Sequence, residues 1–262
     1  RPVTPPVPGL LESGSLNSKL DLSAPFLPKR LIVLGGRYIA LELGQMFQRL
    51  GSHVTLIQRS DRILADQDPE VGDGLTTFLE DDGLEVLAGS RILEVLREGP
   101  DFLVKIERGS EIQTLRSDAV VYALGRWPNT DSMNLAEEGI SLNGKGELAV
   151  SEYLETSVPG IFGAGDVIGE PAFVYSAAYE GSLAAENALN GSPTLRDYSA
   201  IPWVIFTDPQ VAGVGLDEVE AGRQGIEVDV SFLPLSAVPR AIAARDTRGF
   251  IKLLRARGQD RL

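Results

Sequence analysis

Apolar residues in the first third of the chain form short unbroken runs and helically spaced stripes. The run Leu31–Leu34 is wholly apolar, as expected of a parallel strand covered on both faces. Apolar residues then recur at helical spacing from Ile39 to Leu50, and Val54–Ile57 is the next apolar run. A strand, a glycine turn, a helix and a second strand predict a βαβ unit with parallel strands and a right-handed crossover.

The pattern continues to residue 125. A helix is predicted from about Asp68 to Asp82, with Pro69 in its first turn, and a third strand at 84–87. An antiparallel meander is predicted from three alternating segments separated by turns, which are Ile92–Leu96, Phe102–Ile106 and Ile112–Leu115. The apolar run at 119–125 predicts a further buried strand.

Beyond residue 129 the pattern is looser. Gly160–Asp166 predicts a strand that ends in a turn of small residues, and a helix is expected from about Tyr175 to Leu189. Residues 190–193 are predicted to be a linker, and a helix is expected near Asp217–Gln224. The last strands are predicted at Trp203–Thr207, Ala212–Gly215, Val228–Phe232 and Phe250–Leu254. Together these elements indicate a separate α+β domain.

The composition narrows the possible functions. The 262 residues are 43% hydrophobic and 23% charged, which is typical of a soluble globular protein. The net charge of −13 argues against general nucleic-acid binding, and no apolar run approaches the ~20 residues that span a bilayer. There is no cysteine and one histidine, His53, so disulfides, thiolate zinc sites and multi-histidine metal sites are excluded within the chain. No secretory signal is recognisable, and a cytoplasmic location is expected.

The turn between the first strand and the first helix carries the first chemical signal. Its residues are Gly35, Gly36, Arg37, Tyr38, Ile39 and Ala40. A glycine turn that opens a helix is the context of a dinucleotide-binding site, where backbone N–H groups suit a pyrophosphate. Arg37 replaces the glycine that lets the backbone approach the phosphates, so it either obstructs the pyrophosphate or pairs with it. An ordinary tight turn explains the motif equally well.

The end of the next strand indicates which dinucleotide would bind. An NAD site has an acidic residue about 20 positions after the glycines, which bonds the ribose 2′-hydroxyl. Gln58 and Arg59 stand there instead. A guanidinium forms bidentate bonds to phosphate, so the pair favours the 2′-phosphate of NADP. A solvated arginine after a strand is the alternative.

Several motifs in register resemble the flavoprotein pyridine nucleotide-disulfide oxidoreductases. They are the glycine turn with Glu42, Ala-Leu-Gly-Arg-Trp-Pro-Asn-Thr at 123–130 and Gly-Ala-Gly-Asp at 163–166. The segments 206–215, 238–241 and 246–253 look most like the mercuric reductase branch of that family. The resemblance covers nearly the whole chain. It implies an α/β fold, with a Rossmann-type FAD/NAD(P)-binding domain, an antiparallel meander and a truncated α+β dimerisation domain.

The resemblance also implies a domain plan and an activity. Residues 1–27 would be a remnant of the FAD domain, 28–130 the NAD(P)-binding domain, 131–192 the second part of the FAD domain, and 198–262 the truncated dimerisation domain. Hydride would pass from NADPH to FAD, then to a cysteine pair and then to Hg(II), in a homodimer. The cysteines and the first FAD segment should precede Arg1, so the chain is expected to be an internal fragment that is inactive alone.

Individual cofactor roles follow from the same resemblance. Tyr38 resembles the tyrosine that covers the flavin until the nicotinamide displaces it, and Glu42 resembles the glutamate that orients the carboxamide. A core aromatic and a helix-surface charge are the alternatives for these two residues. Asp166 resembles the aspartate that bonds the FAD ribityl chain, with a helix N-cap as the alternative. Further cofactor contacts are implied for Gly125, Arg126, Phe173 and Val174.

Two other functions remain open on the sequence. The first is another member of the family, such as a dihydrolipoamide dehydrogenase or a glutathione reductase-like enzyme with a disulfide substrate. The second is a non-catalytic module that binds NADPH or pairs with a partner subunit. No nucleic acid, membrane or metal ligand is expected for the chain itself.

Overall fold

The computed structural model describes residues 1–17, 26–189 and 191–258. These divide into two compact units. The larger unit comprises 4–124, 204–211 and the described residues from Leu216 onward, and the smaller comprises 1–3, 125–203 and 212–215. Asn190, in the predicted linker, lies outside the described residues. The domain boundaries expected from the sequence stay predictions.

A five-stranded parallel sheet organises the larger unit. Its strands are β1 (Leu16–Asn17), β2 (Arg30–Leu34), β3 (His53–Ile57), β4 (Glu85–Leu87) and β8 (Ala119–Tyr122). The strand order is β1-β8-β2-β3-β4, and every neighbouring pair is parallel. Because β2, β3 and β8 are apolar and buried along almost their whole length, both sheet faces are covered.

Two helices follow the first strands of this βαβ arrangement. Helix α1 spans Tyr38–Leu50 and α2 spans Pro69–Asp81, which confirms both predicted helices. Gly51 ends α1 with a φ of 109°, a left-handed conformation that glycine adopts without a steric cost. Pro69 occupies the first turn of α2, where its missing N–H would have no helical partner.

The predicted meander is confirmed. Its strands are β5 (Ser90–Glu98), β6 (Asp101–Arg108) and β7 (Glu111–Ser117), and they pair antiparallel. The apolar face of the meander shares one buried cluster with the parallel sheet, formed by residues such as Val95, Val104, Ile106, Leu34 and Val120. The meander therefore covers one face of the parallel sheet.

The remaining elements of the later sequence agree with the predicted pattern. Strands β9 (Pro202–Ile205) and β10 (Val211–Val214) form a two-stranded sheet, and β11 (Val228–Pro234) pairs antiparallel with β12 (Phe250–Ala256). Helices α4 (Glu218–Arg223) and α5 (Pro239–Ala244) are short. The elements from α4 onward lie in the same compact unit as the parallel sheet.

The smaller unit contains helix α3 (Val174–Leu189), which packs Leu183 and Ala184 against the buried Leu154. The strand predicted at Gly160–Asp166 is wrong. Phe162 forms a single bridge to Glu155, and Gly165–Ile168 forms a 3-10 turn. Gly160 and Gly165 have φ values of +83° and +77°, which interrupt an extended ladder. No helix in the described part of the chain is long and apolar enough to cross a membrane.

Candidate functional site

The glycine turn lies at the carboxyl end of β2, where the strand order of the sheet reverses. Strands β3 and β4 lie on one side of β2, and β8 and β1 lie on the other. Gly35 has a φ of +124°, and a Cβ there would lie 2.6 Å from the carbonyl oxygen of Ala123, just after β8. Glycine is therefore required at this position. Open α/β sheets bind ligands at such a switch point.

The end of β3 lies directly against the turn. The Gly35 N–H donates to the carbonyl oxygen of Ile57 at 2.8 Å, and a Cβ on Gly36 would lie 2.9 Å from Cγ of Gln58. The next side chain, Arg59, is exposed and has no hydrogen bond or ion pair to any part of the chain that the structure describes. The structure thus brings Gln58, followed by an arginine open to solvent, next to the glycine turn.

Helix α1 begins immediately after the turn. The N–H of Leu41 makes the first intrahelical bond, to the carbonyl oxygen of Arg37 at 3.1 Å. The N–H groups of a helix's first turn have no acceptor within the helix, and they lie at its positive end. Ala40 is 1% exposed, and its methyl lies 3.4 Å from where a Cβ on Gly35 would be. Ile39, beside it, is half-buried.

Arg37 has an ordinary backbone conformation, with a φ of −109°. Arg37 therefore replaces the glycine of the dinucleotide-binding motif without backbone strain. Any effect of this replacement on dinucleotide binding comes from the arginine side chain. The guanidinium bonds an Asp66 carboxylate oxygen at 2.8 Å and lies 5.4 Å from the ring centroid of the half-buried Tyr38. This geometry directs the side chain toward Asp66 rather than leaving it free in solution.

Glu42 lies one turn into α1, and one of its carboxylate oxygens accepts the N–H of Phe206 at 2.9 Å. Gln45 continues the same face and is 4% exposed. Its side chain accepts the Asp208 N–H at 2.7 Å and donates to the Asp208 carbonyl oxygen at 2.8 Å. The helix that begins at the glycine turn thus also fixes the segment 206–208, within the larger unit.

The smaller unit holds the other predicted site residues. Asp166 lies within the 3-10 turn, and its carboxylate is 3.4 Å from Nε of Arg126, with both side chains about half exposed. The carbonyl oxygen of Gly125 accepts the Val3 N–H at 2.9 Å. The N-cap alternative for Asp166 is wrong, because α3 begins eight residues later at Val174 and Ala164 caps the 3-10 turn.

A buried carboxylate supports the turn that carries Asp166. Glu180 is 1% exposed, and it accepts the Gly165 N–H at 2.6 Å and the Tyr198 O–H at 2.7 Å. Burial, and then the hydrogen bond and charge of Glu180, raise the pKa of Tyr198 to about 12. The backbone of the 3-10 turn is therefore held by a buried charge-assisted hydrogen bond.

Phe173 and Val174 stand at the beginning of α3. The Phe173 ring stacks on Tyr175 with centroids 6.1 Å apart, and Val174 is 75% exposed. The described residues contain no group of three or more histidine, aspartate or glutamate side chains arranged to hold a metal ion.

Comparison with known proteins identifies the family. The sequence model described as pyridine nucleotide-disulphide oxidoreductase matches residues 1–181, and that family's dimerisation domain matches residues 201–262. The chain belongs to this family. The fold class expected from the sequence is thereby confirmed, with a parallel sheet and a dimerisation domain.

Among the relatives of this oxidoreductase chain are mercuric reductases. Those of Staphylococcus aureus and Acidithiobacillus ferrooxidans are each 42% identical to it, over 97% and 100% of the chain. The alignments cover 46% and 47% of the two relatives, so the chain spans about half the length of the curated relatives it matches.

Solved structures show the same likeness. The HOCl-induced flavoprotein disulfide reductase RclA of Escherichia coli, in its Cu(II) complex, matches 98% of this chain with a TM-score of 0.89 and 30% identity, over 58% of its own length. LpdA of Mycobacterium tuberculosis matches 93% of this chain with a TM-score of 0.84 and 26% identity, over 52% of its own length.

Sequence reasoning missed three residues that shape these sites, namely Asp66, Gln45 and Glu180. Asp66 is 29 positions from Arg37, and Gln45 is 163 positions from Asp208. Gln45 did carry a signal, because it lies three residues after Glu42 on one helix face. Glu180 is a charged residue within an alanine-rich helix, and a charged residue on the buried side of such a helix needs a bonding partner.

Proposed function

We propose that this chain provides the NADPH site and part of the FAD site of a longer, homodimeric enzyme that reduces Hg(II) to Hg(0). Two electrons would pass from NADPH to FAD, then through a cysteine pair outside this chain to the metal ion. The observation that carries the proposal is the glycine turn at the switch point, with Gln58 against Gly36 and Arg59 open to solvent.

The residues at the turn fit a phosphorylated dinucleotide. The first turn of α1, from Tyr38 through Ile39 and Ala40, offers backbone N–H groups and a positive helix end to a pyrophosphate. Gly35 and Gly36 place no side chain over the turn. Arg59 would bond the ribose 2′-phosphate, which Gln58 would not repel. These features support NADPH over NADH.

The smaller unit fits part of a flavin site. The half-exposed Asp166 carboxylate can accept hydrogen bonds from the ribityl hydroxyls. Gly125 and Arg126 would form the second cofactor-facing loop, where Arg126 already balances the charge of Asp166. Glu180 would keep the 3-10 turn in place through the Gly165 N–H.

The bound nicotinamide and flavin would supply the hydride and electron chemistry, and the protein would orient and insulate them. Glu42, held by the Phe206 N–H, would orient the carboxamide with its carboxylate. Tyr38 would be the side chain that moves to admit the nicotinamide ring. The main chain at Phe173 and Val174 would contribute a carbonyl acceptor beside the flavin.

The later part of the chain supports pairing with a second copy. On one face of the β11–β12 pair, Leu233, Ile251 and Leu253 are exposed. A contiguous apolar face left exposed in this way is typical of a subunit interface. The proposed enzyme would work in the cytoplasm, where reduced nicotinamide is available.

The curated relatives favour mercury as the acceptor. Mercuric reductases match this chain at 42% identity over 97–100% of its length. A dihydrolipoamide dehydrogenase or glutathione reductase-like activity is therefore less favoured, as is a non-catalytic module.

The test is NADPH oxidation by the full-length flavoprotein that contains this chain. We expect oxidation to depend on added HgCl2 in excess thiol, and to be much slower with lipoamide or glutathione disulfide as the acceptor. The chain alone should show no Hg(II)-dependent oxidation, because it contains no cysteine. A full-length enzyme that reduces a disulfide and ignores Hg(II), or an active chain alone, would contradict the proposal.

A further inference from the structure

An arginine–aspartate pair stands at the mouth of the glycine turn. Arg37 is the last residue before α1, and its guanidinium bonds the Asp66 carboxylate at 2.8 Å. Both side chains are substantially exposed, at 58% and 40%. The pair is therefore a surface ion pair, which a stronger anion can break.

The fold fixes Asp66 in this place. The N–H of Leu64, two residues earlier, donates to the carbonyl oxygen of Gly36 at 3.0 Å. Leu64 is fully buried, with a φ of +48°, a left-handed conformation that is unfavourable for a residue with a side chain. The loop that carries Asp66 is thus tied to the glycine turn by a backbone bond that does not involve the Arg37 side chain.

A carboxylate in this place competes with a dinucleotide for the Arg37 guanidinium, because the pyrophosphate is an anion as well. Once a dinucleotide binds, its phosphate becomes an alternative partner to the exposed Asp66 carboxylate for the Arg37 guanidinium. A phosphate accepts fork-like, charge-assisted bonds from a guanidinium, and these are stronger than an exposed ion pair. The arginine should therefore leave Asp66 for the phosphate.

We propose that Arg37 is a pyrophosphate ligand, and that Asp66 holds its guanidinium in the free protein and competes with the phosphate for it. Asp66 is thus a positioning residue that lowers dinucleotide affinity through Arg37. This inference rests on the proposed NADPH site. Arg37 stands at the second glycine position of the dinucleotide-binding turn, where it could either obstruct the pyrophosphate or pair with it. The inference favours pairing.

The test is a fluorescence titration of NADPH with the chain and its Arg37→Gly, Asp66→Asn and doubly substituted variants. Freeing the guanidinium from an exposed pair should tighten binding about three- to fivefold in Asp66→Asn. Losing the phosphate contact should weaken binding about five- to tenfold in Arg37→Gly. The double variant should match Arg37→Gly, because Asp66 acts through that side chain.

Asp61→Asn is the matched control. It removes the same charge from an exposed residue of the same loop, and should change the dissociation constant less than twofold. Competition by 2′-AMP, which lacks the pyrophosphate, should show the same affinity in Asp66→Asn and in the unchanged chain. Near-identical circular dichroism of the variants would show that they fold alike.

Four results would overturn the inference. They are tighter NADPH binding by Arg37→Gly, unchanged binding by Asp66→Asn, an effect of Asp66→Asn that is equally large when Arg37 is already glycine, and an effect of Asp61→Asn as large as that of Asp66→Asn. The first would show that Arg37 obstructs the site, and the last two would show that Asp66 acts through general charge. If no variant binds NADPH at all, the proposed NADPH site itself fails and this inference falls with it.

Discussion

Tyr198 makes the stability of the smaller unit depend on alkaline pH. Its O–H donates to Oε1 of Glu180 at 2.7 Å, and Glu180 is 1% exposed. Burial, followed by the hydrogen bond and charge of Glu180, raises the pKa of the phenol from 10.0 to about 12. Ionising this phenol in the folded protein would place a second negative charge against a buried carboxylate.

The sign and size of the effect follow from the pKa difference. Since the folded pKa is the higher one, the stabilisation is fully present below about pH 10 and is lost as the pH rises toward 12. Two pKa units correspond to about 2.7 kcal/mol at most. Because Tyr198 remains partly accessible to water, we expect about 1–2 kcal/mol of the free energy of unfolding to depend on it.

The assay is urea unfolding between pH 9 and pH 11.5, with tyrosinate absorbance recorded in parallel. Over this pH range, the free energy of unfolding of Tyr198→Phe should fall by about 1–2 kcal/mol less than that of the unchanged chain. Tyr153→Phe, which replaces a tyrosine that is 38% exposed, should behave like the unchanged chain. The reasoning is refuted if Tyr198→Phe shows the full alkaline loss, or if the Tyr198 phenol ionises near pH 10.

Two further predictions concern the larger unit. Lys252, 8% exposed, bonds the 4%-exposed Asp68 at 2.8 Å, so Lys252→Met should cost about 3 kcal/mol of unfolding free energy in urea. Arg255→Met, on the same strand but 54% exposed, should cost far less, and equal costs would refute the buried-pair reasoning. Gly35→Ala would force a Cβ to within 2.6 Å of the Ala123 carbonyl oxygen, so it should lower the melting temperature and abolish NADPH binding. Unchanged NADPH binding by this variant would show that the turn is not the binding site.

The local architecture was predictable because each element carries its own pattern. The apolar run Leu31–Leu34, the stripe of α1 and the turns of the meander predict their elements without reference to distant residues. The strand predicted at Gly160–Asp166 is wrong because only a single bridge, at Phe162, forms between the glycines of this segment. Two of those glycines adopt positive φ values, which end an extended segment.

The interactions that tune the sites could not be predicted in the same way. Asp66 bonds Arg37 because a buried leucine anchors its loop to the glycine turn, and no periodicity records that anchor. The bonds of Gln45 to Asp208 join α1 to a segment 163 residues later. Such pairs depend on tertiary packing. The glycines and Arg59 could be predicted because the dinucleotide-binding motif places its residues at fixed spacings within one βαβ unit.

The most direct measurement is the affinity of the chain for NADPH and for NADH, by fluorescence titration, before and after Arg59→Gln. We predict a preference for NADPH of about tenfold or more, since the guanidinium would bond the 2′-phosphate. Arg59→Gln should remove that preference and leave NADH binding unchanged, whereas Arg62→Gln, on the same loop, should preserve it. Equal affinity for both dinucleotides, or an equal loss of both in Arg59→Gln, would contradict the placement of the 2′-phosphate beside Gly36.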